Sequence, residues 1–171
     1  MNRNHLLAVL LAAGLIPADA AAQTLDGKTA FERLTGLAGT WSGPLGTADG
    51  PKGSVRYEVI SAGSVVMEVL FPGDPQEMRS MYHLDRGDLI LTHYCSGGNQ
   101  PHMRLSRTAS TPARLVFDFD GGTNFDPARD THVHNGEIVF LPDGRIEASW
   151  TVWSGGKPAG TNHFFALSRE K

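Results

Sequence analysis

Beyond residue 38 the chain alternates apolar and polar positions in short stretches, with the period of two that is typical of β-strands. Leu115, Phe117 and Phe119 fall on one face of such a stretch, and Asp118 falls on the other. Asp-Gly and Gly-Gly pairs separate the stretches, and these residues tolerate the positive φ of tight hairpins. The pattern predicts ten strands, over residues 40–45, 54–60, 64–71, 78–84, 88–95, 102–108, 114–119, 131–141, 145–153 and 160–169.

One helix is predicted ahead of the strands, over residues 29–36. Thr29 and Glu32 have the S/T-x-x-E spacing of a capping box, and Gly36 is a suitable stop. Phe31 and Leu34 recur at a helical interval, so one face can be buried. A helix this short is marginal alone, and we expect it to pack over the end of a larger structure.

Ten short strands joined by tight turns favour an antiparallel meander. A meander that closes on itself removes its two edge strands. We therefore predict an all-β fold, a closed antiparallel up-and-down β-barrel with one short N-terminal helix near its mouth. A β-sandwich is the main alternative. One connection, residues 120–130, is too long for a tight turn, and such loops often carry function.

Residues 1–22 have the pattern of a secretory signal peptide. Arg3 precedes the apolar run LLAVLLAAGLI, which Pro17 ends, and small residues follow as cleavage sites. The run is too short to span a bilayer. We expect cleavage after Ala22, or else after Ala20, which leaves residues 23–171 as one domain exported to the periplasm or the medium. A buried N-terminal helix is the alternative.

Composition excludes several classes of function. The net charge is -3 at pH 7, and the absence of a basic run argues against nucleic-acid binding. No second long apolar segment predicts a membrane span. Cys95 is the single cysteine, so no internal disulfide is expected. Its thiol can be a buried small apolar group, a free thiol, or a ligand or catalytic group. The sequence does not indicate an oligomeric state.

The same alternation assigns polar side chains to the barrel interior. His93 and Cys95 share a face with apolar residues of their strand. His132 and His134 share a face of theirs, and His163 follows the inward pattern less clearly. An unpaired buried polar group costs about 1–3 kcal/mol. We therefore expect these groups to pair with one another, with water or with a ligand.

Apolar side chains combined with a few polar groups are typical of small-molecule sites. In the turn after Cys95, Asn99 and Gln100 can hydrogen-bond a ligand at the barrel mouth, or the long loop at Thr123 and Asn124. The alternative is that the two amides only close the turn. The residues predicted to bind a ligand are His93, Cys95, Asn99, Gln100, Phe117, His132, His134, Trp150 and His163.

Two other chemistries stay open. The pair His132-x-His134 is a common zinc half-site that His93 or Cys95 could complete, so His93, His132 and His134 are the candidate metal ligands. Cys95 with His93 could support covalent catalysis if a third group oriented them. The remaining alternative is a purely structural barrel, in which the histidines hydrogen-bond to one another.

The segment LAGTWSG, with Gly39 and Trp41, resembles the Gly-x-Trp signature of lipocalin-type and nitrobindin-type barrels, the calycin group. Nearly all of the chain after residue 22 is also similar to a group of secreted bacterial proteins that share EVLFPG, MxxxYHLD and LTHYCxxGNQPxM. The resemblance implies a lipocalin-like barrel in which Trp41 packs across the closed end. Nitrobindin-like proteins bind haem through a histidine on a late interior strand, and His163 is the positional match.

Taken together, these observations predict an exported barrel that binds a small, partly apolar ligand. The alternatives are a haem- or metal-binding barrel, with haem or zinc as the cofactor, and an enzyme that uses the histidines with Cys95.

Overall fold

The computed structural model describes residues 24–171, and the predicted signal peptide lies outside the described residues. One helix, α1 (Gly27–Thr35), precedes the strands. The ten strands are β1 (Gly39–Pro44), β2 (Lys52–Ile60), β3 (Val65–Leu70), β4 (Met78–Asp85), β5 (Asp88–Tyr94), β6 (Gln100–Leu105), β7 (Arg114–Thr123), β8 (His132–Phe140), β9 (Ile146–Ser154) and β10 (Lys157–Arg169).

Every strand pairs with the next in antiparallel orientation, and β10 pairs with β1 to close the barrel. The predicted all-β, up-and-down barrel is therefore confirmed, and the sandwich alternative is wrong. Within residues 24–171, no helix is both long enough and apolar enough to cross a membrane.

The helix begins earlier than the capping box predicts. Asp26 is the N-cap, and its two carboxylate oxygens accept the backbone N–H and the hydroxyl of Thr29, each at 2.8 Å. Thr29 is thus inside the first turn, and the capping-box interpretation is wrong. A Cβ at Gly27 would lie 2.4 Å from the carbonyl oxygen of Gly87, so a glycine is needed where α1 meets the β4–β5 turn.

The helix closes one end of the barrel, with Ala30, Phe31 and Leu34 buried against it. Trp41 packs across this end with 3% of its surface exposed, and its indole N–H donates to the Leu37 carbonyl at 2.7 Å. The guanidinium of Arg169 lies 4.5 Å from the centre of a Trp41 ring. The structural role predicted for Trp41 is therefore confirmed.

The predicted long loop is shorter than residues 120–130, because β7 extends to Thr123 along β6. Gly122 makes this possible: its φ is +153°, and a Cβ there would lie 2.6 Å from the Gln100 carbonyl oxygen. Between β7 and β8, pairing covers only Arg114–Phe117 against Gly136–Val139. Beyond that point the two strands separate toward the open end, which lies opposite α1.

Candidate functional site

A cavity of about 330 Å³ lies at the open end of the barrel, bordered by the β1–β2 and β3–β4 connections. This volume is at the small end of the range for ligand pockets. Its apolar lining comes from Leu45, Leu70, Phe71, Met78, Val133 and Phe164. Its polar lining residues are Gln76, His93, Trp150, Thr161, Asn162 and His163.

His93 lines this cavity from β5, on the interior face shared with Leu89 and Leu91, as the alternation predicts. The imidazole is 4% exposed, and its Nδ1 lies 3.0 Å from the hydroxyl oxygen of Ser80. Its Nε2 is buried and forms no hydrogen bond with any described residue. Burial lowers the pKa of His93 to about 4, so the ring is neutral at pH 7.

A buried row of polar side chains leads to His93 across four strands. The strand register places Tyr57, Glu68, Ser80 and His93 side by side on β2, β3, β4 and β5. Glu68 is 0% exposed, and its carboxylate oxygens accept the phenol O–H of Tyr57 at 2.8 Å and that of Tyr82 at 3.1 Å. Ser80, the register partner of Glu68 on β4, also lowers the pKa of this carboxyl group.

These hydroxyl groups compensate for the burial of a carboxyl group that has no cationic partner in the row. Burial raises the pKa of Glu68, and hydrogen bonds from Tyr57, Ser80 and Tyr82 oppose that rise. Burial, followed by the charge of Glu68, raises the pKa of both tyrosines well above their ordinary value. Both tyrosines therefore remain protonated donors.

This row is not evident from the sequence. One signal was available: in VVMEVL, Glu68 alternates in step with Val66 and Leu70, which places a carboxyl group on the apolar face. The partners of Glu68 could not be found in the same way, because they depend on the register between strands.

Trp150 faces the cavity as predicted, with 5% of its surface exposed. Its indole N–H is buried and donates to no acceptor in the described part of the chain. Gly136 lies opposite on β8, where a Cβ would be 2.3 Å from the Trp150 ring. Phe117 is fully buried between Tyr82 and Trp150, at ring-centre distances of 5.7 and 6.3 Å. Phe117 therefore supports the cavity wall without lining it.

Neither His132 nor His134 lines this cavity. Val133 is the neighbouring residue that lines the cavity, and a register shift between Val133 and Asn135 places His134 in a β-bulge. His134 stacks on Trp153 at 3.8 Å and on Phe119 at 4.3 Å. The two imidazoles thus fill the gap where β7 and β8 separate.

These two histidines pair with each other, which was one of the expected alternatives. His132 is 2% exposed, its Nδ1 donates to the Asp130 carbonyl at 2.9 Å, and its Nε2 lies 3.0 Å from Nδ1 of His134. They do not join His93 on the cavity wall. Across residues 24–171, no three His, Cys, Asp or Glu side chains are grouped to hold a metal ion, so the predicted ligand set is not assembled.

His163 lines the cavity as predicted, but its ring makes contacts toward the outer face of β9. The register shifts between Phe164 and Leu167, both of which are buried, and Ala166 has a φ of +43°. The His163 ring stacks on Phe165 at 3.8 Å and lies 4.0 Å from a carboxylate oxygen of Glu147. Glu147 is on the outer face of β9, and the haem role that the resemblance implies for His163 stays a prediction.

The turn after β5 is tied to the long loop. Gln100 accepts from the hydroxyl of Thr123 at 2.9 Å, and Asn124 donates to the Gly98 carbonyl at 2.6 Å. Asn99 is 6% exposed and donates to the Thr131 carbonyl at 2.8 Å. Cys95 is half-buried, and its sulfur accepts the Gly97 N–H at 3.4 Å. The predicted contact with the long loop is confirmed, and none of these side chains lines the cavity.

No protein-family model matches this chain, and no curated protein matches it. The resemblance to calycins is therefore supported by architecture alone. A closed ten-strand antiparallel barrel, with Trp41 and a short helix at one end, is compatible with a lipocalin-like fold.

Proposed function

We propose that this barrel binds a small, partly apolar molecule in the cavity of about 330 Å³. The supporting observation is that two buried polar atoms, His93 Nε2 and Trp150 Nε1, belong to cavity-lining residues and have no partner among residues 24–171. Each such atom costs about 1–3 kcal/mol if nothing satisfies it. A ligand that hydrogen-bonds them recovers this energy while its apolar part contacts Leu70 and Phe164.

The test is native mass spectrometry of protein purified from its own host. We expect a small molecule to remain bound to the wild type and to be lost from His93→Leu and Trp150→Leu. The matched control is His83→Leu, because His83 is on the outer face of β4, next to the interior Tyr82. A bound molecule that survives both cavity substitutions would contradict the proposal.

We also propose that the protein works outside the cytoplasm after residues 1–22 are removed. The support is the charged, apolar and small-residue order of that segment. The N-terminal sequence of protein recovered from the periplasm or medium tests this. We expect Gln23 or Ala21 as the first residue, and an intact Met1 terminus in the exported fraction would contradict cleavage.

A further inference from the structure

We infer that the cavity selects an uncharged, largely apolar molecule that offers a hydroxyl or N–H donor to His93, and that it rejects carboxylates. This inference rests on the proposed ligand-binding function and specifies its chemical class. The geometry that carries it is the row from Glu68 through Ser80 to His93.

The Ser80 proton decides which tautomer His93 adopts. Glu68 accepts the phenol protons of Tyr57 and Tyr82, and Ser80 is its register partner on β4. With Glu68 ionised, its carboxylate only accepts and is a stronger acceptor than a neutral imidazole, so the Ser80 proton turns toward it. That leaves the Ser80 oxygen as an acceptor toward His93 Nδ1, 3.0 Å away.

The orientation of the Ser80 hydroxyl fixes the tautomer of His93. A neutral imidazole carries one N–H, and the second ring nitrogen has a lone pair. If Nδ1–H donates to Ser80, the lone pair is on Nε2, the buried atom without a partner on the cavity wall. Only a hydrogen-bond donor can pair with this Nε2 atom, and a carboxylate has no donor to offer.

The charges around the cavity also restrict the ligand. Among the described residues, no Lys or Arg lines the cavity, and His163, which does line it, has its Nε2 4.0 Å from a carboxylate oxygen of Glu147. The nearby Glu68 carboxylate would repel an anion. A buried anion without a cationic partner is strongly disfavoured. Trp150 offers an indole N–H, so a suitable ligand also presents an acceptor. A hydroxyl group can both donate and accept.

The tautomer can be measured directly by long-range ¹H–¹⁵N NMR of histidine-labelled protein at pH 7. The spectrum of His93→Gln assigns the two ring nitrogens. We expect Nδ1 to resonate as a protonated nitrogen and Nε2 as a bare one. The opposite pattern would overturn the inference, because both cavity atoms would then be donors suited to a carboxylate.

The ligand class can be tested with three two-ring probes of one skeleton: 2-naphthol, 2-methoxynaphthalene and 2-naphthoate. In fluorescence titrations at pH 7, we expect naphthol to bind about tenfold more tightly than its methyl ether, the equivalent of one hydrogen bond. We expect naphthoate to bind most weakly. Equal binding of all three would refute the inferred class and leave the proposed function standing, whereas binding of none would contradict both.

Glu68→Gln tests the role of the row itself. A glutamine at this position can donate as well as accept, which frees the Ser80 proton to turn toward His93. We expect the preference for naphthol over naphthoate to shrink and the Nε2 resonance to shift toward that of a protonated nitrogen. The matched control is Glu58→Gln, on the surface beside Arg56. An unchanged preference in Glu68→Gln would overturn the argument.

Should Glu68→Gln fail to fold, Ser80→Ala breaks the same connection with a smaller change. We expect His93 in that variant to populate both tautomers and the naphthol preference to weaken. A tautomer that stays fixed without the Ser80 hydroxyl would contradict the inference.

Discussion

Trp41 and Trp150 are both buried, at 3% and 5% exposure, but they differ in what their indole N–H meets. At the closed end, the N–H of Trp41 donates to the Leu37 carbonyl. At the open end, the N–H of Trp150 has no acceptor among the described residues. The two buried histidines differ in the same way, since both nitrogens of His132 are partnered and one of His93 is not. Among the described residues, two of the three buried side-chain atoms without a partner belong to cavity-lining residues, and the third is Asn99 Oδ1 in the turn after β5. Unsatisfied hydrogen-bonding capacity is thus concentrated at the open end.

The largest expected effect is at the closed end. Trp41→Ala should lower the free energy of unfolding by about 3–5 kcal/mol, because it removes a large buried ring. Urea denaturation measures the loss. Trp153→Ala, at a half-buried position, should cost less. An equal loss of unfolding free energy in both variants would contradict the expected difference between the closed end and the half-buried position.

Acid should weaken the open end through His93. Its pKa is about 4 in the folded protein and about 6.5 when unfolded, so the unfolded chain binds a proton first as the pH falls. Stability should therefore be fully present above pH 6.5 and fall by about 3 kcal/mol as the pH drops to about 4. Urea unfolding of the wild type and of His93→Gln at several pH values measures this contribution.

Two other titratable groups contribute to the dependence of stability on pH. The pKa of His134 is lowered by burial and then by His132, which gives an acid effect of the same sign that His134→Gln should remove. The raised pKa of Glu68 acts in the opposite direction, because its stabilising effect is lost as the pH rises. An identical pH slope in the wild type and in His93→Gln would contradict the assignment to His93.

The two tryptophans can be compared directly by substitution with phenylalanine. Trp41→Phe leaves the Leu37 carbonyl without its donor, and we expect a loss of about 1–3 kcal/mol. Trp150→Phe breaks no hydrogen bond within residues 24–171 and should cost less than about 1 kcal/mol, while naphthol affinity falls. A larger stability loss in Trp150→Phe than in Trp41→Phe would reverse the comparison.

The smallest effect is expected in the turn after β5. Gln100→Ala removes its hydrogen bonds to Thr123 and Gly98, in a partly exposed loop, so the stability loss should be about 1 kcal/mol. Naphthol affinity should stay unchanged, because Gln100 does not line the cavity. A large drop in naphthol affinity would contradict this and would indicate that the turn contributes to binding.

The alternation of side chains predicted most of the fold because the pleat of a strand sets its period. It also oriented His93 and Trp150 correctly, since β5 and β9 keep their alternation through those positions. The alternation did not predict the position of His134, which lies at a β-bulge and does not line the cavity. A bulge shifts the face of everything beyond it and leaves no mark in the alternation itself.

Only part of the candidate site could be predicted from the sequence, for a related reason. The imidazole of His93 could be placed on an interior face, but its link to Glu68 requires the relative register of three strands. Turn geometry and packing across strands fix that register, and a single strand does not contain the information. The polar row is therefore a property of the assembled barrel.

The closure of the barrel between β1 and β10 has a consequence for how the chain reaches this structure. Arg169 donates to the carbonyl of Gly36, 133 positions away, and β1 pairs with β10 over only two residue pairs. Closing so long a segment has a high entropic cost, so this seam should form late in folding. Until it does, β1 and β10 each expose a free edge to other copies of the chain. Pairing of β10 with β1 should therefore protect a folding molecule from self-association.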